Sequence, residues 1–245
     1  MTREDNHLTF FAMCEPKMMK KFLSNLTTKN ETLSNVRSVY YLLRGSPTVK
    51  KDRGIDTYLH HIGWLKSRYL KSSIDRKGRP LPWLTYPMIH FLDGRITRNM
   101  KVFEFGSGNS TLWWCERVSE VVSCEHDRCW YEQLQTKLPE NCDYIFHELV
   151  PDGEYSRSIC DYPTQFDIVV IDGRDRVNCA KHALNCLTDQ GVIIWDNTDR
   201  ERYQLGFDLL QSHGFRQIEF AGLSPINTFI EHTSVFYRQH NLFGI

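Results

Sequence analysis

From residue 101 onward, short apolar runs alternate with amphipathic stretches, and this alternation restricts the fold more than any other feature of the chain. Runs of β-branched and aromatic residues predict buried strands, and apolar residues spaced three and four apart predict helices. The predicted strands cover 101–105, 121–124, 143–149, 166–171 and 191–195, and the predicted helices cover 110–118, 128–137, 178–187 and 201–213. Strands joined by helices pair in parallel through right-handed crossovers. The sequence therefore predicts an α/β fold with a doubly wound, mostly parallel sheet.

The C-terminal end departs from this alternation. Two further predicted strands, 216–221 and 233–238, are separated by a turn-rich connection at 222–227 and no helix. Successive strands without a crossover helix pair antiparallel. We therefore expect an antiparallel C-terminal strand pair at the edge of the sheet.

The first hundred residues have a different character. They carry 18 basic and 8 acidic side chains, whereas the remaining 145 residues carry 12 and 22, so a neutral chain has two oppositely charged parts. Helical spacing at 18–26, 36–43, 56–70 and 83–92 predicts a helical N-terminal extension over 1–98, ahead of a domain at 99–245. The basic stretch 44–79 has three possible roles: it docks on the acidic domain, attracts a small anionic substrate, or binds nucleic acid.

Composition restricts the class and the compartment of the protein. With 41% hydrophobic and 24% charged residues the chain can bury a core, and its apolar runs are too short to span a membrane. The first residues are polar and acidic, unlike a secretory signal peptide, and the eight cysteines show no Cys-x-x-Cys spacing. We expect a soluble, cytoplasmic protein with free thiols, no zinc site and no membrane partner; the oligomeric state is not predicted.

A strand, a glycine turn and a helix start follow one another at residues 102–111. Gly106 and Gly108 permit a tight turn and let a ligand approach the backbone, whose free amides point toward it. Glu104 lies inside the strand, where a dinucleotide site would be apolar. The next predicted strand ends at Glu125, 17 residues after Gly108, and an acid there can accept hydrogen bonds from both hydroxyls of a ribose. These residues predict a site for a ribose-containing ligand.

This combination resembles the class I S-adenosylmethionine-dependent methyltransferases, which have a Rossmann-like fold, over roughly residues 100–245, including the terminal antiparallel pair. The motif of that family, acid-x-Gly-x-Gly-x-Gly, is matched at Glu104, Gly106 and Gly108, whereas Ser110 replaces the last glycine. The resemblance implies S-adenosyl-L-methionine as the cofactor.

The same resemblance implies a role for each matching residue. Glu104 would hold the amino group of the cofactor, and Glu125 would bind its ribose hydroxyls, with His126 beside the adenine. The backbone of the glycine turn would wrap the cofactor's carboxylate and ribose, which adds Gly106, Ser107, Gly108 and Ser110 to the cofactor-binding residues.

Two later predicted strands also end in polar residues, at Asp172 and at the pair Asp196-Asn197. The carboxyl ends of parallel strands meet at one edge of the sheet, where ligands bind in open α/β folds. This pattern is similar to the magnesium ligands of the catechol O-methyltransferase group, which implies Asp172, Asp196 and Asn197 as ligands of Mg²⁺. The alternative is a metal-free site in which Asp172, also counted among the cofactor-binding residues, is the first candidate for a catalytic base or substrate-orienting group and Asp196 the second.

Four residues are candidates for substrate binding. Arg200, Arg202 and Tyr203 follow the fifth predicted strand and either bind a substrate carboxylate or phosphate or form the first turn of a solvated helix. Tyr86, with Thr85 beside it, either lines the entrance of the site or packs as an ordinary aromatic residue.

The sequence thus predicts an enzyme, an S-adenosylmethionine-dependent methyltransferase that transfers a methyl group to a small-molecule acceptor, most readily at an oxygen. The alternative in the same class is an RNA or protein methyltransferase that uses the basic segment. Nucleic acid is disfavoured because no Asn/Asp-Pro-Pro-Tyr signature, as in amino-directed nucleic-acid methyltransferases, follows the fourth strand at Asp172. Alternatives of other classes are a non-catalytic S-adenosylmethionine-binding protein and a nicotinamide-dependent oxidoreductase, which Glu104 and Thr111 disfavour.

Overall fold

The computed structural model describes residues 58–245, so the predicted helices 18–26 and 36–43 lie outside the described residues. Residues 62–245 form one compact unit, and the helical turn Tyr58–His61 lies outside it. The segment 62–98 therefore belongs to the same unit as the sheet. The functional division of the chain at residue 98 stays a prediction.

Within residues 62–245, seven strands form one sheet. In chain order they are β1 (Lys101–Phe105), β2 (Glu120–Glu125), β3 (Cys142–Phe146), β4 (Phe166–Ile171), β5 (Leu187–Asp196), β6 (Arg216–Gly222) and β7 (Glu231–Tyr237). Their order across the sheet is β3-β2-β1-β4-β5-β7-β6. The strands from β3 to β5 pair in parallel, and β7 pairs antiparallel with β5 and β6. The predicted fold class is confirmed, including the antiparallel edge.

The strand order reverses between β1 and β4. The chain leads outward from β1 through β2 to β3 and then returns to place β4 on the other side of β1. In open parallel sheets the loops that leave the strands on the two sides of such a reversal diverge, and a crevice opens between them. The loops after β1, β2, β4 and β5 all follow the carboxyl ends of parallel strands, so they lie at the same edge of the sheet, around this crevice.

Apart from the short helix Glu154–Arg157, which the sequence did not predict, the helices differ from the predicted ones mainly at their ends. They are α1 (Trp64–Leu70), α2 (Tyr86–Asp93), α3 (Asn109–Cys115), α4 (Arg128–Gln135), α5 (Glu154–Arg157), α6 (Arg176–Ala183) and α7 (Gln204–Ser212), with 3₁₀ turns at Ser158–Asp161 and Glu201–Tyr203. The predicted helix 56–70 is interrupted because Gly63 has a left-handed backbone, with φ +86°. The predicted helix 178–187 ends early because Leu187 already pairs with Phe166 of β4.

Apolar layers cover both faces of the sheet. Phe103 of β1 belongs to one layer and Val102 to the other, which also contains Trp113 and Trp114 of α3. Side chains alternate between the faces of a strand, so Glu104 lies on the same face as Val102. The sheet therefore carries a fully buried acid on the face that this second layer covers.

The segment 62–98 is bound to the connection between β6 and β7. Trp64 Nε1 donates a hydrogen bond to the backbone oxygen of Asn227 at 2.7 Å, and the Tyr86 amide donates to that of Leu223 at 2.8 Å. None of the helices within residues 58–245 is long and apolar enough to cross a bilayer. The cysteines among these residues are free thiols.

Candidate functional site

The turn after β1 packs closely against the turn after β4. Gly106 has a left-handed backbone (φ +92°), and a Cβ atom there would lie 2.8 Å from Gly173 Cα. Gly108 differs, because its backbone is extended and the nearest heavy atom to a Cβ there would be Trp130 Cζ2 at 3.9 Å. The fold therefore requires glycine at 106 but not at 108, where the missing side chain leaves room for a ligand beside the backbone.

The carboxyl group of Glu104 is buried next to this turn. Its Oε2 accepts hydrogen bonds from Thr111 Oγ1 (2.5 Å) and Ser123 Oγ (3.0 Å), whereas Oε1 has no hydrogen-bond partner among the described residues. Thr111 Oγ1 also accepts from the Gly108 amide at 3.0 Å, so it links the acid to the turn. A buried polar atom without a partner is costly. Glu104 therefore has capacity for one further donor.

Burial raises the pKa of Glu104 to about 7, although the neighbouring hydroxyl groups of Ser110, Thr111 and Ser123 act in the opposite direction. Near neutral pH the carboxyl group is divided between its protonated and its charged form. A cationic ligand beside it would favour the charged form, so binding of such a ligand would weaken as the pH falls through this range.

Glu125, the last residue of β2, is fixed by hydrogen bonds on both oxygens. Oε2 accepts from the amide (3.1 Å) and the hydroxyl (2.6 Å) of Ser107. Oε1 accepts from the amides of His126 and Asp127, both at 2.8 Å. The Ser107 hydroxyl can rotate away from Glu125, whereas the backbone amides cannot. A hydroxyl group of a ligand would therefore replace Ser107 Oγ as a hydrogen-bond donor to Glu125 Oε2.

A cavity of about 250 Å³ opens between the turns after β1, β2 and β4. Its walls are Gly106, Ser107, Ser110, Glu125, His126, Asp172, Gly173, Arg174 and Arg176. The structure thus brings together six of the eight residues that the sequence predicted for cofactor binding. Of the other two, Gly108 lines a larger neighbouring cavity, and Glu104 is fully buried and lines neither cavity.

Arg176 joins the ends of β4 and β5. Its side chain is buried, and Nη2 donates to Asp172 Oδ1 at 3.1 Å and to the backbone oxygen of Asp172 at 3.0 Å. Nη1 donates to the backbone oxygen of Asp196, and Nε donates to that of Gly173 at 3.0 Å. The guanidinium group therefore fixes both strand ends and places its charge beside Asp172.

The side chain of Asp196 is held from the antiparallel edge. Asp196 Oδ1 accepts a hydrogen bond from Thr233 Oγ1 at 2.7 Å, and that hydroxyl oxygen accepts from the Thr85 amide at 3.2 Å. Because Thr233 accepts from Thr85, its own hydrogen is directed at Asp196. Thr85, which was considered together with Tyr86 for the entrance of the site, is buried and lines neither cavity described here.

Burial raises the pKa of both carboxyl groups at these strand ends. It raises the pKa of Asp172 to about 6, although the charge of Arg176 acts in the opposite direction. Burial and the charge of Asp172 together raise the pKa of Asp196 well above its ordinary value. Both acids therefore hold a proton more tightly than an ordinary aspartic acid, and a carboxylate whose pKa is about 6, as that of Asp172 is, is suited to accept a proton near neutral pH.

The three predicted magnesium ligands do not fit a divalent cation. Asp172 already pairs with the Arg176 guanidinium, and one oxygen of Asp196 accepts the Thr233 hydroxyl. Mg²⁺ needs a near-octahedral set of oxygen ligands, and here it would face the charge of Arg176. Within residues 58–245, no group of three or more His, Cys, Asp or Glu side chains is arranged to hold a metal ion. The magnesium prediction, which also included Asn197, is therefore not supported.

A second cavity, of about 650 Å³, shares walls with the first, among them Asp172 and Arg176. Its further walls are Lys71, Ser72, Ser73, Leu81, Trp83, Gly108, Asn109, Trp130, Asp196, Asn197, Arg200, Ile226, Asn227, Phe229 and Glu231. The part from 71–83 is anchored to the glycine turn, because Asn109 Nδ2 donates to the backbone oxygen of Ser73 at 2.7 Å. The segment ahead of β1 thus forms one side of this cavity.

Of the four predicted substrate-binding residues, Arg200 alone lines a cavity described here. Arg202 donates to Tyr203 Oη at 3.0 Å, and the Tyr203 ring packs against Trp195. Tyr86 is buried in an apolar layer. Tyr86, Arg202 and Tyr203 therefore line neither of the two cavities, and their contacts with a substrate stay a prediction.

The sequence analysis missed Arg176, Thr233 and Trp130. Trp130 Nε1 donates to a backbone oxygen of the glycine turn at 2.9 Å, and the ring lines the larger cavity. Arg176 follows Asp172 by four residues, but Asp172 lies ahead of α6 and not within it, so the spacing rule for helices does not apply and gave no signal. Thr233 gave no local signal, because its contact joins residues 37 apart on antiparallel strands.

No protein-family model matches the chain, and neither does any curated protein. Several solved structures resemble it. An rRNA methylase from Streptococcus thermophilus is 14% identical, with 64% of this chain and 100% of that chain covered and a TM-score of 0.49. A precorrin-6y C5,15-methyltransferase from Geobacter metallireducens is 14% identical, with 62% and 88% covered and a TM-score of 0.47. A precorrin 8W decarboxylase from Methanobacterium thermoautotrophicum is 16% identical, with 62% and 88% covered and a TM-score of 0.46. These likenesses are too distant to assign a function.

Proposed function

We propose that the protein is an S-adenosyl-L-methionine-dependent methyltransferase that methylates an oxygen of a small-molecule acceptor. The observation that carries this proposal is Glu104, a buried carboxyl group with an unpartnered oxygen, linked to a glycine turn beside the fixed acceptor Glu125. A dinucleotide would require no acid inside β1. A ligand that brings both an ammonium group and a ribose matches the two acids together.

Each part of the cofactor has a corresponding group in the chain. Glu104 would accept a hydrogen bond from the amino group, and the backbone from Gly106 to Ser110 would follow the carboxylate and the ribose. Glu125 would accept from the ribose hydroxyls once Ser107 Oγ has rotated away, with His126 on the adenine side. When bound, S-adenosylmethionine supplies an electrophilic methyl group on a sulfonium centre.

The chain then has to orient the acceptor and remove its proton. Asp172 lines both cavities, so it lies where the cofactor and the acceptor would meet. Its carboxylate would take the proton of the acceptor hydroxyl, while Asp196, fixed by Thr233, would orient that hydroxyl. Arg176 would keep Asp172 in position without a metal ion. The segment 71–83, which forms one side of the larger cavity, would cover the acceptor.

A transfer assay with methyl-labelled S-adenosylmethionine tests this function. We expect the full-length protein to label at least one member of a panel of phenols, sugars and hydroxycarboxylic acids, and the product to carry a methyl ether or ester. Turnover should be the same with and without a chelator, because Arg176 replaces the metal. Labelling of RNA or protein but of no small molecule would contradict the proposed acceptor class.

The two glycines of the turn provide a matched pair of variants. Gly108→Ala should leave the melting temperature nearly unchanged and weaken S-adenosylmethionine binding at least about tenfold, since the new methyl group has room in the free protein but not beside a ligand. Gly106→Ala should lower the stability by about 1–3 kcal/mol, because it combines a left-handed backbone with a close contact to Gly173. Calorimetry and thermal unfolding of both variants measure these effects. Unchanged cofactor affinity in Gly108→Ala would show that no ligand approaches the turn.

A further inference from the structure

Three basic side chains of the larger cavity form no ion pair with an acid in the described part of the chain, residues 58–245. Lys71, Arg174 and Arg200 line this cavity, and none of the three side chains makes an ion pair, a hydrogen bond or a cation–π contact with any residue in 58–245. Arg176, in the same cavity, is fully engaged with the strand ends. Three unpaired cations around one concave surface indicate a ligand with negative charge.

The cavity has fewer acids than basic residues, three (Asp172, Asp196 and Glu231) against four (Lys71, Arg174, Arg176 and Arg200), and each acid already has a partner in the protein. The Asp172 carboxylate is paired with Arg176, and Asp196 accepts a hydrogen bond from Thr233. Glu231 accepts one from the Ser224 hydroxyl. The acids are therefore held by the protein itself, whereas the cations remain available to a ligand.

The three cations divide between the two cavities. Arg174 also lines the smaller cavity, beside Glu125 and His126, so the cofactor can engage it. Lys71 and Arg200 line only the larger one of the two. They come from separate segments, the end of α1 and the loop after β5, and so approach the acceptor space from two walls.

Two exposed aromatic rings line the same space. Trp83 is 44% exposed and Phe229 is 61% exposed, although rings of this size are usually covered. Neighbouring hydrogen bonds fix the segments that carry them, since Ser73 Oγ donates to the backbone oxygen of Pro82 at 3.2 Å and Trp64 Nε1 donates to that of Asn227 at 2.7 Å. Apolar rings on anchored segments provide a surface for a flat, apolar body.

We propose that the methyl acceptor is an anionic compound with an apolar or aromatic body, whose carboxylate or phosphate group is bound by Lys71 and Arg200. This inference rests on the proposed function, because it assigns the larger cavity to the acceptor. The cationic pair binds the charged end, the rings of Trp83 and Phe229 cover the body, and Asp172 faces the oxygen that receives the methyl group.

Titration calorimetry tests the inference on the full-length protein saturated with S-adenosylhomocysteine. The probes are para-hydroxybenzoate and its neutral counterpart para-hydroxybenzamide, which differ mainly in charge, and phenyl phosphate, which distinguishes phosphate from carboxylate. We expect at least one anion to bind roughly tenfold or more tightly than the amide. Lys71→Gln and Arg200→Gln should each remove most of that preference and leave the affinity for S-adenosylhomocysteine unchanged. Arg202→Gln, two residues away and outside the cavity, is the matched control and should behave as wild type.

The possible results distinguish a failure of the proposed function from a failure of the inference about the acceptor. Failure of S-adenosylhomocysteine to bind in the first titration would overturn the proposed function and this inference with it. Binding of S-adenosylhomocysteine without any preference for an anion, including no binding of any probe, would overturn the inference alone. The inference would also be overturned if the Lys71→Gln and Arg200→Gln variants kept the wild-type preference for an anion over the amide. Binding of a short single-stranded RNA in place of the small anions would overturn it as well.

Discussion

Replacing Glu104 by Gln should weaken cofactor binding and, at the same time, stabilise the ligand-free protein at alkaline pH. The affinity for S-adenosylmethionine should fall roughly ten- to a hundredfold, because a charged hydrogen bond to the amino group is lost. The opposite effect on stability follows from burial, which raises the pKa of Glu104 to about 7 in the folded state. A residue that lowers the stability of the free protein but strengthens ligand binding is typical of a binding site.

The pH dependence gives the sign and the size of this effect. An acid with a raised pKa in the folded state binds its proton more tightly when folded, so the wild type loses stability as the pH rises through the interval between the ordinary pKa and about 7. The variant has no such loss. The difference in free energy of unfolding between variant and wild type should therefore change by about 2–3 kcal/mol, in favour of the variant, between pH 5 and pH 8.

Urea unfolding at the two pH values and calorimetric titration at pH 8 measure both effects. Glu132→Gln is a suitable control, since Glu132 is an exposed acid on α4 and should change neither quantity. A Glu104→Gln variant that binds S-adenosylmethionine like the wild type would show that the buried acid is only structural. Loss of wild-type affinity below about pH 7, absent in the variant, would tie the titration of this carboxyl group to binding.

Asp172→Asn should reduce turnover by roughly a hundred- to ten-thousandfold with little change in the affinity for S-adenosylmethionine. The substitution keeps the shape of the side chain and removes its capacity to accept a proton. The rate for the wild type should rise with pH through an apparent pKa of about 6 and then level off, because Asp172 acts in its charged form. The residual rate of the variant should not show this rise.

Steady-state kinetics over pH 5–8 with an identified acceptor measure this prediction. Asp199→Asn, an exposed acid close to the end of β5, is the control and should keep the wild-type rate and profile. Asp172→Asn also loses the charge partner of Arg176, so its melting temperature has to be measured alongside. Turnover that survives in a folded Asp172→Asn variant would remove this residue from the proton transfer.

The sequence predicted the sheet and the glycine turn well because both depend on local patterns. A continuous apolar run such as Phe166–Ile171 has few alternatives to a buried strand, and Gly106 has a conformation that other residues adopt poorly. The acids Glu104 and Glu125 were likewise accessible, because their positions follow from where two strands end. The positions of the apolar strands therefore predicted both the fold class and the candidate cofactor-binding residues.

The acceptor side was less predictable because it depends on contacts between distant segments. The sequence grouped Arg200 and Arg202 together, although the chain enters a 3₁₀ turn there, and Arg200 alone of the two lines the larger cavity. The magnesium prediction failed to account for Arg176, whose burial against the strand ends is not visible in a charged helix start. Lys71 lies in the segment ahead of β1, and only the packing of 71–83 on the glycine turn brings it to the site.

Calorimetric titration of the full-length protein with S-adenosylhomocysteine, the demethylated product of the cofactor, tests the central claim most directly. We predict one site per chain with micromolar affinity, at least about tenfold weaker binding by a Glu125→Ala variant, and no detectable binding of NADH. Preferential binding of NADH, or binding of S-adenosylhomocysteine that is indifferent to Glu125→Ala, would contradict the assignment of this site.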